Sequence, residues 1–264
     1  STSRLLDPRD LNAAFGGRFA NLAMNAATAW EQTELAKLYL RHNPAPKAFI
    51  VGLDQMWCQR EGELQKITFR GFPEWMYDEN PWNDLPQLFN LQTLEIAGRL
   101  LLHQFGLMPE RIRADGYEVF TPPEASYDIA RARWHIWRDI ADGRISPLSP
   151  PVRLTEAEAA AVRFPALDWL DALLAAVPSS AFRMLAAMPI HVAAQPRPGS
   201  HHAAVAAACM ERITAIARRH GVPYVDFAIP SPVTTEDANY WDPLHYRLPI
   251  ARRIIDGIVA AKDG

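Results

Sequence analysis

Residues 19–53 read FANLAMNAATAWEQTELAKLYLRHNPAPKAFIVGL, and this stretch decides the fold class. Two short, mainly apolar runs, Phe19 to Met24 and Ala48 to Leu53, flank a helical segment from about Ala29 to Arg41. Thr28 with Glu31 three residues on is a capping-box signature, and Pro44 follows the other end. The stretch therefore predicts a strand, a helix and a second strand, joined by a right-handed crossover that makes the strands parallel.

The same alternation returns late in the chain. Met184 to Val192 reads as a strand, Ala203 to Arg219 as an amphipathic helix and Val222 to Phe227 as another strand. A last helix is expected from Pro249 to Ala261, where Ile250, Ile254 and Ile258 recur at four-residue steps and form one buried face. Strands alternating with helices predict an α/β fold, a doubly wound parallel sheet flanked by helices. Between about residues 59 and 182 the pattern changes to aromatic, proline-rich and helical pieces, among them a second capping box at Thr155 and Glu158. This segment reads as a long, partly helical insertion in one domain spanning residues 1–264. The chain opens on STSRLLDP, without Met or a signal-like segment, so the true N-terminus is expected upstream of Ser1.

With 49% hydrophobic and 22% charged residues the 264-residue chain has the composition of a folded globular protein. A net charge of -3 provides no broad basic field, which argues against nucleic acid as a partner. The longest apolar runs fall far short of the ~20 residues that span a bilayer, leaving a segment upstream of Ser1 as the only route to a membrane anchor. Cys58 and Cys209 are too few for a disulfide scaffold and fit no metal spacing, so they leave the redox compartment open. Cys209 shares the stripe Val205, Cys209, Ile213 and Ile216 and is expected to pack in the core. His201 and His202 are adjacent and point to different faces of a helix, which speaks against a shared metal. No glycine-rich phosphate loop is present, so neither a nucleotide cofactor nor any other is indicated.

The segment ANYWDPLHYRLPIARRII, residues 238–255, carries the chemistry. Asp242 and His245 lie three apart ahead of a helix, in a loop after the last strand region, where ligands bind in open α/β sheets. The carboxylate can fix the imidazole tautomer and leave the other ring nitrogen free as a general base. The plainer alternative is a helix-capping aspartate beside a surface histidine.

Four blocks in order, STS at the start, NLAMNAATAWEQ, GLDQMW and DPLHYR, resemble those of the SGNH (GDSL-like) hydrolase superfamily. The character is closest to the SGNH-like domains of bacterial extracytoplasmic proteins. The resemblance implies a flavodoxin-like fold and a serine nucleophile after the first strand, which falls on Ser1, with Ser3 as second candidate. His245 would be its base. The alternative for STS is a polar turn before a short helix. In the second block the family's oxyanion glycine corresponds to Ala26, flanked by Asn25, and a backbone N–H at the start of a helix can serve that role. In the third block Asp54 stands where the family has an asparagine donor. An ionised carboxylate only accepts hydrogen bonds. Asp54 is then protonated, or Gln55 or Asn25 supplies the amide, or ordinary ester hydrolysis is not the reaction; a strand-end carboxylate bonded to nearby backbone N–H groups is the structural alternative.

Aromatic residues Trp57, Trp75, Tyr77, Trp82 and Trp241 could line a sugar cleft, though aromatics are mainly buried mass. Trp57, Trp241 and Tyr246, within or beside the blocks, are the candidates for substrate contact. The resemblance implies a serine esterase or O-acyltransferase acting on a small acyl ester, such as acetyl, of a carbohydrate, in the periplasm or anchored outside the cytoplasm. The competing expectation is a binding or scaffold domain that keeps the architecture without turnover.

Overall fold

The computed structural model describes residues 2–60, 66–67 and 77–263. Its helices and strands, in chain order, are α1 (Pro8–Phe15), α2 (Ala29–His42), β1 (Ala48–Leu53), α3 (Pro81–Gln87), α4 (Leu91–Gln104), α5 (Ile129–Trp137), α6 (Glu156–Ala161), α7 (Pro165–Ala176), β2 (Phe182–Ala187), α8 (His201–Arg219), β3 (Tyr224–Asp226), α9 (Pro232–Thr235), β4 (Tyr240–Asp242), β5 (His245–Tyr246) and α10 (Leu248–Asp263).

β1, β2 and β3 form a parallel sheet in that spatial order, with Ala48 opposite Phe182 and Leu185 opposite Tyr224. Side chains alternate across it, as strand geometry requires. Val51, Leu53 and Leu185 join one buried cluster with Leu167, Leu170, Leu173 and Leu174 of α7 and Cys209, Ile213 and Ile216 of α8. Ile50, Met184 and Ala186 face a second cluster, built from Leu5, Leu11, Tyr240, Tyr246 and the Ile250, Ile254, Ile258 face of α10. The protein is thus mixed α/β, with helices on both faces of a small parallel sheet.

Both capping boxes form. Thr28 accepts from the Glu31 N–H while the Glu31 carboxylate accepts from Thr28 N–H, and Thr155 and Glu158 do the same. The expected helices from 29, 203 and 249 are observed within two residues at each end.

Three expectations need correction. Phe19–Met24 forms no strand among the described residues; Phe19 N–H donates to the Asn12 side chain and Asn21 N–H to the Asp115 carbonyl, which are loop contacts. The segment from 59 to 182 is not wholly an insertion, because α7 lies under the sheet with four fully or nearly fully buried leucines. Truncating one of them, as in Leu170→Ala, removes roughly 2–5 kcal/mol by the usual cost of a core cavity. Cys209 is buried as expected, but it is bonded to Cys58 across 151 residues rather than free. The strand-end loop after β1 folds back onto the α8 stripe, a proximity that linear spacing does not reveal. By contrast Trp82 of α3 is 77% and Leu91 of α4 85% exposed, and neither helix contributes to the two buried clusters.

Candidate functional site

β4 and β5 form a tight antiparallel hairpin that sets Asp242 opposite His245. One carboxylate oxygen of Asp242 accepts from the backbone N–H groups of Leu244 and His245, at 2.8 and 3.1 Å. The other lies 2.7 Å from His245 Nδ1. With Nδ1 engaged in this way, Nε2 is the ring nitrogen left to exchange a proton with a substrate or nucleophile. Burial raises the Asp242 pKa, but the hydrogen bond and charge of His245 and the two backbone donors outweigh it, so the carboxyl is held below the ordinary aspartate range. Both side chains are about one-third exposed, so the pair is open to solvent.

The hairpin is held from several sides. His191, fully buried in the loop after β2, donates its backbone N–H to the Pro243 carbonyl at the hairpin turn, 2.9 Å away. Its Nδ1 accepts from Ala193 N–H, its Nε2 lies 3.3 Å from Asp237 Oδ1, and its ring meets Trp137 and Tyr240 edge to face. Burial lowers its pKa more than Asp237 raises it, so His191 stays neutral at neutral pH. In this second His–Asp pair the imidazole is fully buried and only Asp237 is partly exposed, so the pair is a positioning element. Sequence reading missed it because His191 and Asp237 are 46 residues apart.

The segment from 59 to 182 supplies further supports. Phe120 packs against the His245 ring, with centroids 5.5 Å apart, and the Arg4 guanidinium lies 4.4 Å from the centre of the same Phe120 ring. Arg4 is itself buried against Glu118. The Glu124 carboxylate accepts from Arg247 and from Leu248 N–H, so it caps the start of α10 directly after the dyad. Arg4 near the chain start and His245 of the dyad therefore both contact Phe120.

Ser1 lies outside the described residues. Ser3 lies over the carboxyl end of β1, where a Cβ added at Gly52 would come within 2.5 Å of its Oγ. Ala26 has φ 55°, a left-handed conformation that costs a non-glycine residue roughly 1–2 kcal/mol, and it immediately precedes the buried Ala27–Ala29 entry to α2. The backbone at Ala26 thus adopts a conformation that glycine takes up more readily than alanine. Asn25 is half-buried beside it.

Asp54 caps the short 3-10 turn at Gln55–Cys58: Oδ1 accepts from Met56 N–H at 3.0 Å and Oδ2 lies 3.4 Å from the Gln32 amide. These are acceptor contacts, as the strand-end alternative expects. Gln55 donates to the Ala194 carbonyl at 3.3 Å. Two of the aromatic candidates are corrected. Trp57 is fully buried with its indole N–H on Gln32 and borders the cavity along β1 only from within the core, and Tyr246 is fully buried in the second cluster, so neither ring is exposed to solvent. Tyr77 is also buried, Trp75 lies outside the described residues, and Trp241 packs edge to face on Tyr127.

A cleft of about 1310 Å³ opens at the carboxyl ends of all three parallel strands, lined by Leu53, Asp54, Ala187, Gln195, His202 and Asp226 among others. A second, of about 780 Å³, runs along the outer edge of β1 and includes Ser3 and Asp54. Asp242 and His245 line neither of these two. Among the described residues no cluster of side chains is arranged to hold a metal ion, and no helix is long and apolar enough to cross a membrane. Comparison with known proteins finds no matching family model, no matching curated protein and no matching solved structure.

Proposed function

We propose that the protein is an SGNH-like serine esterase or O-acyltransferase on a doubly wound α/β scaffold, acting on a small acyl ester, acetyl in the simplest case, of a carbohydrate. The observation that carries this reading is the Asp242–His245 pair, with its carboxylate on Nδ1 and its Nε2 directed elsewhere. Ser1 attacks the ester carbonyl carbon while its hydroxyl proton passes to His245 Nε2. The tetrahedral intermediate, its oxyanion facing the Ala26 N–H, collapses and expels the alcohol, which takes the proton from His245. Water or a sugar hydroxyl then attacks the acyl-serine by the reverse sequence, and Asp242 holds the imidazole in place throughout. Ser3 is the alternative nucleophile. The Cys58–Cys209 disulfide is compatible with an oxidising, extracytoplasmic location, the periplasm in this reading.

A second reading, a non-catalytic binding or scaffold domain, is favoured by one observation: Asp54 presents acceptors where an amide donor is called for. A fluorophosphonate probe separates the two. The esterase reading expects a single serine, Ser1 or Ser3, to be labelled and located by peptide mass mapping, with labelling lost in His245→Ala. Absence of labelling in the folded protein favours the scaffold.

A further inference from the structure

Large apolar side chains gather on the surface in one part of the chain. All twelve Trp, Phe, Leu and Ile residues between Trp82 and Leu107 are exposed, Phe89 at 91% and Phe105 at 71% among them. α4 carries half of the twelve. Of its described side chains only Thr93 is other than exposed, and none joins either buried cluster. A helix of 14 residues is marginal in water on propensity alone and ordinarily owes its stability to a covered apolar face. At about 100° per residue, Leu91, Leu94, Gly98, Leu101, Leu102 and Phe105 fall on one side of the α4 axis, in an arc that contains no charged residue.

Three observations say what covers this face. At roughly 150–250 Å² for a large side chain, the twelve present on the order of 1,000 Å² of apolar surface. That exceeds the ~300–600 Å² of the largest patch on a typical monomer and suffices for the ~800 Å² that each partner contributes to a stable interface. Gly98 is the second. Glycine inside a helix is destabilising relative to alanine and is used where a backbone must be approached closely. Gly98 does not have a positive φ, and a Cβ added to it would meet nothing within 4 Å, so its own chain gives no reason for a glycine there. A second helix crossing at that point does. The third is charge. Arg99 pairs with Glu95 at 2.9 Å, and His103 Nδ1 lies 3.0 Å from the Met108 carbonyl. A helix that lies on a lipid surface carries a Lys- and Arg-rich polar face, whereas the polar flank of α4 balances one carboxylate against one guanidinium.

We propose that this face docks on the same face of a second copy of the chain, the two α4 helices crossing antiparallel about a two-fold axis beside Gly98. A two-fold contact needs a self-complementary surface, in which one residue meets another and the second meets the first in return. An axis passing between Gly98 and Leu101 meets that need. Leu101 of each copy enters the space over Gly98 of the other, and Leu94 of each lies beside Phe105 of the other. Glu95 and Arg99 stay paired on the flank, so the contact buries no lone charge.

Sedimentation velocity across a range of protein concentrations tests this. The proposal expects a dimer at about 10 μM and above, in the micromolar or tighter range that interfaces of this size reach. The double variant Leu94→Glu with Leu101→Glu should be monomeric there, its dissociation constant raised at least about 100-fold by charges placed at the centre of the contact. Gly98→Leu favours the helix yet fills the crossing point, so it should weaken the dimer without loss of helical circular dichroism. Should a variant fail to fold, amide exchange in the unsubstituted protein decides, with α4 amides slower at about 100 μM than at about 1 μM by mass action. A monomer at every concentration overturns the proposal, as does a dimer equally tight in the folded double variant. So does a monomer that binds phosphatidylcholine–phosphatidylglycerol vesicles through α4, which would make the face a lipid-binding one. None of these readouts involves ester turnover, so the proposal stands or falls separately from the enzymatic reading.

Discussion

At Ala26 the backbone and the side chain are in conflict, since φ 55° places Cβ against the following carbonyl. Ala26→Gly is therefore expected to stabilise the protein by up to about 1 kcal/mol in urea unfolding, the relief of strain being partly offset by glycine's larger unfolded-state entropy. A clear loss of stability would show that the methyl group makes a contact worth more than the strain. Asp242 has a different signature. Its carboxyl is depressed in the folded state, so it contributes stability that is complete above about pH 4, the ordinary aspartate value, and is lost as pH falls through the lower folded value. Asp242→Asn should flatten that part of the stability-versus-pH curve; an unchanged acid limb would mean the His245 contact is not made in solution. The Asp242–His245 spacing could be read directly, because both partners lie on one hairpin. The His191–Asp237 pair could not, because its two halves meet only through the packing of the loop after β2 on α5 and β4.

Among the elements, the cross-link between the loop after β1 and α8 closes 151 residues of chain. Constraint of the unfolded ensemble on that scale is worth about 3–5 kcal/mol. Reduction, or the double replacement Cys58→Ser with Cys209→Ser, is expected to lower the urea midpoint accordingly, and an unchanged midpoint would place the two cysteines apart in solution. Local patterns located α2, α8, α10 and β1 closely because capping boxes and four-residue periodicity are properties of contiguous sequence. Phe19–Met24 misled for a related reason. Its apolar run has the composition of a strand, but a strand needs a partner, and its neighbours in the described chain are loops. The core role of α7 was hidden inside a segment whose proline and aromatic content resembled surface insertion, although its leucine spacing is that of a buried helix face.

Across the whole molecule, the segment from 59 to 182, the loop after β2 and the chain start converge on one hairpin. Phe120, Glu124 and α5 come from the segment between β1 and α6, His191 from the loop after β2, and Arg4 from the chain start. These supports fix the imidazole and carboxylate in position, as a general base requires. None of the five is recognisable from residue type alone, since each acts by contact at long range in sequence. The most direct measurement of the central claim is hydrolysis of an acetyl ester such as p-nitrophenyl acetate by the protein and by His245→Ala, with folding of both verified by circular dichroism. The account predicts saturable turnover that falls by about 1000-fold or more in the variant. Equal rates in the two folded proteins, or no turnover above background in either, would contradict it.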